Sequence, residues 1–170
     1  MKKSLGRRKF LLATHITFTV GWLGAIAAFL AIAVAGLVSQ DQATTRAAYL
    51  GMEWTGWFVI VPLSLGSLLT GLIQSLTTEW GLFRHYWILA TFLINIFASS
   101  ILLLFMQGLT TIEVATPKPV VHASAALALL FLATALSVFK PRGITPYGWR
   151  KQRDRRLLLQ ESRATGEATS

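Results

Sequence analysis

The chain has 170 residues, of which 54% are hydrophobic and only 14% charged, against about a quarter charged in typical soluble domains. It contains no cysteine, which excludes a disulfide framework, a thiol nucleophile and zinc-ribbon spacing. The net charge of +9 gathers at the two ends, so it points to a membrane surface and not to nucleic acid.

In chain order, a basic segment (residues 1–9, with Lys2, Lys3, Arg7, Arg8 and Lys9) precedes an uncharged stretch over 10–38. Further uncharged stretches cover 54–76, 85–106 and 120–139. Crossing a hydrocarbon core takes roughly 20 apolar residues in a helix, and each stretch is long enough. A closed barrel would also pair its backbone internally, but the alternating pattern of barrel strands is missing. The expectation is an all-α, four-helix transmembrane bundle over 10–139, followed by a short basic tail over 140–170.

The connections are short. Ser39, Gln40 and Asp41 end the first span, Thr77 to Gly81 separate the second from the third, and Thr116, Pro117, Lys118 and Pro119 lead into the fourth. Short connections make consecutive helices antiparallel neighbours. Pro62, inside the second span, predicts a kink. In the tail, 150–163 is predicted to form a short basic helix and 164–170 to be disordered.

Lysine and arginine set the orientation. Of the sixteen in the chain, only Arg46 and Lys118 fall on one side of the four spans. The positive-inside rule therefore puts both termini in the cytoplasm, with the bacterial cytoplasmic membrane as the location. Tyr49, Trp54 and Trp57 suit the outer interface, and Trp80, Tyr86 and Trp87 the inner one. Arg7-Arg8-Lys9-Phe10-Leu11 is similar to a twin-arginine export signal, with Ala33-Val34-Ala35 as a cleavage site. The apolar stretch exceeds the 7–15 residues of a signal and three more spans follow, so the helix is expected to be retained.

The first span repeats small residues four apart, as in Gly24/Ala28 and Ala31/Ala35. Such pairs let helix backbones approach closely in lipid. Packing within the bundle accounts for them, and a homo-oligomer face is the alternative.

Ionisable groups inside spans are costly and tend to face the bundle interior. His15 lies about 7–8 Å beyond Phe10 at 1.5 Å per residue, and His85 opens the third span at the same membrane level. Trp22 shares the face of His15. Ser67, Thr70 and Gln74 form one stripe, and Thr91, Asn95 and Ser99 another. Together they outline a polar pocket in the inner half of the bundle, lined by Trp22, Gln74 and Asn95. A neutral imidazole ligates haem iron or a transition metal through one ring nitrogen, so His15 and His85 are the candidate cofactor ligands, for haem b or copper. An outer set of Glu53, His122 and Gln107 is a second, weaker metal candidate. No phosphate loop, zinc-protease motif or serine elbow is present.

Thr14-His15-Ile16 with Gly21-Trp22-Leu23-Gly24 resembles the opening helix of a bacterial group of small multipass proteins. The runs Gly71-Leu72-Ile73-Gln74-Ser75, Trp80-Gly81-Leu82-Phe83-Arg84-His85-Tyr86-Trp87 and Lys140-Pro141-Arg142-Gly143 with Tyr147-Gly148 are similar to a predicted integral membrane family of unknown function within it. More distantly, His15 and Trp22 resemble the first helix of copper-resistance D-type permeases and of the haem-associated bacterial membrane protoporphyrinogen oxidase. The resemblance implies copper handling or haem chemistry centred on His15. Thr91 stands where several such proteins carry a lysine, which argues against carrying over an enzymatic role. The expectation is a non-enzymatic multipass protein with a haem- or metal-binding pocket, with lipid bilayer and anionic lipids at its basic ends as partners. The alternatives are a membrane oxidoreductase or haem-pathway enzyme, and a copper permease-like transporter.

Overall fold

The computed structural model describes residues 2–77, 82–109, 116–141 and 143–167, with side chains described between Gly6 and Ser162 within those ranges. Thr78, Glu79, Trp80, Gly81 and Arg142, and the side chains of Lys2, Lys3 and Arg163, lie outside the described residues. Everything regular among them is helical: α1 (Lys2–Val38), α2 (Gln42–Thr55), a π-helical turn (Gly56–Ile60), α3 (Val61–Thr77), α4 (Tyr86–Leu109), α5 (Lys118–Phe139) and α6 (Pro146–Glu167). Four runs are long and apolar enough to cross a membrane: Gly6–Val38, Gln42–Thr77, Tyr86–Leu109 and Lys118–Phe139.

The second run starts twelve residues before the expected boundary at Trp54. Its start has a local cause. Asp41 holds an extended backbone and caps α2, accepting from the amides of Ala43 (3.3 Å) and Thr44 (2.9 Å) and from the Thr44 hydroxyl (2.6 Å). These satisfy amides that a helix start leaves without partners. The hydroxyl bond first, then the two amide bonds, hold the Asp41 carboxyl below its usual range. The tail also departs from expectation, because residues 164–167 belong to α6 and are helical.

α1 is the hub. It packs along α2, α3 and α5, while α4 packs along α3 and α5. Its inward stripe runs His15, Thr19, Trp22, Ile26, Phe29, Ala33, Gly36, with spacings of four and three that keep one seam on its neighbours. From Trp22 to Gly36 this stripe is buried, with Trp22 1% exposed. Along the α1 seam the partners are His15 with Thr70, Thr19 with Ser67, Gly21 beside Leu63, and Gly36 beside Ala48. Gly24, Ala28, Ala31 and Ala35 are exposed instead. The four-spaced small pairs therefore do not serve packing within the bundle. The reason is rotational: Trp22, Ile26 and Phe29 bring more contact area to the core than small residues can, and they set which face turns inward.

Within the second run, the amide of Val61 bonds to the carbonyl of Gly56, five residues back. Pro62 follows directly. Its ring would press on the carbonyl of Phe58 in a regular helix, and the widened turn takes up that conflict one turn ahead of the proline. Gly56 leaves a recess that Met106 of α4 fills, since a Cβ there would collide with the Met106 thioether. Met106 is completely buried.

α5 ends on Lys140, whose backbone is left-handed (φ 45°) and whose amide bonds to Leu136. The chain then turns at Pro141 and meets the start of α4 in a clasp. The Tyr86 amide donates to Gly143 (3.4 Å), the Thr145 amide donates to Arg84 (3.0 Å), and His85 bridges to Ile144. The buried Thr145 hydroxyl donates to the Phe83 carbonyl, with the Arg84 carbonyl 3.3 Å away, and accepts from the Gly148 amide (3.1 Å). Thr145 thus caps α6, with Pro146 in the first turn where its missing amide costs nothing. Gly148 lies directly on the other side of the clasp. A Cβ there would stand 2.6 Å from the Arg84 carbonyl oxygen and 3.3 Å from its Cα, and backbone cannot move aside as a side chain can.

Changing Gly148 to Ala is therefore expected to open the clasp, at a cost of about 1–3 kcal/mol as for other overpacked sites. Limited trypsin digestion in detergent reads this out: faster cleavage within α6, with the helical bundle otherwise intact.

Candidate functional site

The polar residues of α1 and α3 meet at the N-terminal end of the α1 seam. Nδ1 of the half-buried His15 lies 3.0 Å from the Thr70 hydroxyl. That hydroxyl has one hydrogen, and the short bond of 2.6 Å to the Gly66 carbonyl takes it. Thr70 therefore accepts from His15, which places the imidazole proton on Nδ1 and leaves a lone pair on Nε2. The same reasoning orders the next pair. Thr19 donates to the carbonyl of His15 (2.9 Å), so its oxygen accepts from Ser67 (3.1 Å). Two side-chain pairs across two helices are the result, one of them holding an imidazole of defined tautomer.

Gly71 makes room for that ring. A Cβ at Gly71 would lie 3.0 Å from His15 Cε1, 3.6 Å from Nδ1 and 3.7 Å from Nε2, so the helix backbone of α3 approaches the ring at Cε1, between its two nitrogens. Histidine ligands of metals characteristically donate the other ring nitrogen to a neighbour, which orients the ring and raises its basicity. His15 and Thr70 have this arrangement.

The remaining candidates are distributed as follows. Trp22 sits two turns further along α1, and its indole Nε1 is sealed from solvent without a hydrogen-bond partner among the described residues. Ser99 of α4, 4% exposed, is the other such group. Gln74 is half-buried one turn beyond Thr70. Asn95 donates its amide to the carbonyl of Thr91 (2.8 Å), and Thr91 donates to Trp87 (2.8 Å), so both bond within α4. His85 belongs to the clasp, with its ring centroid 6.5 Å from that of Trp87. His15 and His85 are thus held by different elements, the first by α3 and the second by the segment after α5.

On the other candidate set, His122 is exposed, stacks on Phe105 at 4.4 Å and donates Nδ1–H to the Lys118 carbonyl (2.8 Å). Glu53 is half-buried on α2 and Gln107 is exposed near the end of α4. Among the described residues no three of His, Cys, Asp or Glu gather where they could hold a metal ion.

Two residues of the cluster are not among the sequence-derived candidates. Thr19 follows His15 by one turn, a spacing that carries the signal. Gly71 gave none, since its role comes from a ring on another helix.

Thr70→Val would remove the hydroxyl that accepts from Nδ1. Interhelical hydrogen bonds in membrane bundles contribute about 0.6 kcal/mol and up to about 1.7. Thermal unfolding in mild detergent is expected to show a loss in this range for Thr70→Val, with Thr70→Ser close to the parent.

No protein-family model matches the chain, and no curated protein or solved structure matches it either.

Proposed function

We propose that this chain crosses the bacterial cytoplasmic membrane four times with both termini in the cytoplasm, and that His15 is the ligand it offers to a metal centre, with haem iron first in line. The carrying observation is the half-buried imidazole whose Nδ1 lies 3.0 Å from a Thr70 hydroxyl that already donates to Gly66, an arrangement that puts the ring proton on Nδ1 and the lone pair on Nε2. An ionisable side chain kept within an apolar span is a functional site by default.

The topology is supported from two directions. Partner numbers fall from Thr70 to Ala48 as those on α1 rise from His15 to Gly36, the pattern of antiparallel neighbours. All basic residues but Arg46 and Lys118 belong to the termini and the connection before α4, in keeping with the positive-inside rule. The cysteine-free chain makes the test direct. A cysteine placed at Gln42 is expected to react with a membrane-impermeant maleimide in intact cells, and one placed at Ser162 only after lysis. The opposite pattern would invert the orientation.

The choice of haem follows from the donor set. A metal ion held by protein alone needs several ligands, whereas haem brings four of its own and asks for one or two imidazoles. When bound, haem would supply electron transfer or redox chemistry; the residues here orient the ligand and hold its proton away from the iron-facing nitrogen. His85 is the second candidate ligand.

An optical spectrum of the full chain, purified in mild detergent from haem-replete cells, tests the reading. A stoichiometric Soret band that is lost in His15→Ala, and weakened or shifted in Thr70→Val, is the expected result. Loss in His85→Ala as well would mean two axial histidines. A colourless preparation would defeat the haem assignment.

A further inference from the structure

We infer that α6 lies along the membrane surface and that the stripe of Trp149, Arg153 and Arg156, flanked by Arg150, binds the phosphate headgroups of anionic phospholipids. The inference rests on the reading that the bundle spans a membrane, and it adds a binding site that the His15 cluster does not involve.

Placement comes first. The clasp fixes the opening turn of α6 through Thr145 and Gly148 to the backbone of Phe83 and Arg84, immediately before α4 begins. Two candidate spans, α4 and α5, have their ends within a few residues of that point. The start of α6 is thereby held at the edge of the apolar bundle, the level at which spanning helices leave hydrocarbon for headgroups.

The second observation is that α6 does not continue into the bundle. Every described side chain from Trp149 to Ser162 is exposed, including Leu157, Leu158 and Leu159. A helix anchored at one end and bare along the rest has a face available to whatever lies beside it. At the bundle edge that is the lipid surface.

Charge and shape then select the face. Trp149, Arg153, Arg156 and Gln160 recur at four, three and four residues, and so share one side of the helix. Trp149, Arg150, Gln152, Arg153 and Arg156 line a shallow concavity there. The acidic residues Asp154 and Glu161 are displaced by roughly 110° from this stripe at 3.6 residues per turn. Guanidinium groups fork onto phosphate oxygens in a way that lysine does not, and an indole prefers the headgroup level. Basic segments next to a span are attracted to anionic leaflets within about a Debye length. On the far side, Lys151 lies over the Tyr147 ring at 5.9 Å.

The test uses the full chain in nanodiscs, with single cysteines carrying a polarity-sensitive fluorophore, since the chain has none of its own. Gln160→Cys reports the proposed face, Leu158→Cys the opposite face, and Phe97→Cys the exposed middle of α4. The expected result is a blue shift at position 160 when phosphatidylglycerol is added to phosphatidylcholine. It should be reversed by high salt, be absent in the triple variant Arg150→Gln, Arg153→Gln, Arg156→Gln, and leave the label at 158 unmoved. Identical emission at 160 in both lipids, with the label at 97 reporting hydrocarbon, would overturn the inference while leaving the spanning reading in place. An equal shift at 158 and 160 would overturn the assigned face. A label at 97 reporting water would remove the spanning reading itself, and the inference with it.

Discussion

In hydrocarbon a polar group has no water to turn to, so each one must find its partner inside the chain. The hydroxyls of this protein mostly do so on their own helix. Thr17, Thr91 and Thr134 donate to the carbonyl four residues back, and Ser64 and Ser75 to the one three back. Such bonds hold no helix to another. Two side chain to side chain bonds between helices lie together, where His15 meets Thr70 and Thr19 meets Ser67. His15 finds its partner on α3 instead, and this pair, with Thr19 and Ser67 beside it, gives the two helices a shared polar seam. Because a hydroxyl carries a single hydrogen, the back-bonds of Thr19 and Thr70 also decide the direction of both interhelical bonds. The same self-satisfaction that makes hydroxyls cheap in a membrane is what gives the histidine a defined tautomer.

The apolar part of the bundle is organised around the same helix. Trp22, Ile26 and Phe29 form a continuous inward ridge on α1 that extends the His15 face. This ridge couples the site to the fold: rotating α1 to turn its small residues inward would expose three large side chains and withdraw His15 from Thr70. The π-helical turn ahead of Pro62 acts on the partner helix. It adjusts the run that carries Ser64, Ser67 and Thr70 in one piece, and it leaves at Gly56 the recess that Met106 fills. Trp22 Nε1 and Ser99 Oγ have no partners among the described residues, against the rule that buried polar groups are paired.

The clasp is a different solution to a similar problem. Thr145 and its neighbours give the ends of two helices the backbone partners they lack, and do so with residues some sixty positions away in sequence. Its consequence is directional. With the first turn held on the backbone of Phe83 and Arg84, the basic helix α6 starts from a fixed point beside α4.

How much of this was open to reading from residues alone depends on range. The apolar runs, their number and the polar stripes through Thr70 and Ser99 follow from local composition and helical period, which one chain states without reference to any other part of itself. His15 stands out as an ionisable group inside an apolar span, and the resemblance brought the motifs at 80–87 and 140–148 into view, yet gave no hint that Arg84 and Tyr86 pair with Thr145 and Gly143 through their backbones. The start of α2 at Gln42 was hidden because polar residues end a span in hydropathy but do not end a helix outside the hydrocarbon, where Asp41 supplies the cap. What only the tertiary structure decided is rotation and partnership. It turned Gly24, Ala28, Ala31 and Ala35 outward, set His15 against Thr70 while His85 went to the clasp, and gave Gly71 and Gly148 their tasks. These outcomes depend on how large side chains from several helices compete for one interior, a quantity that no single helix contains.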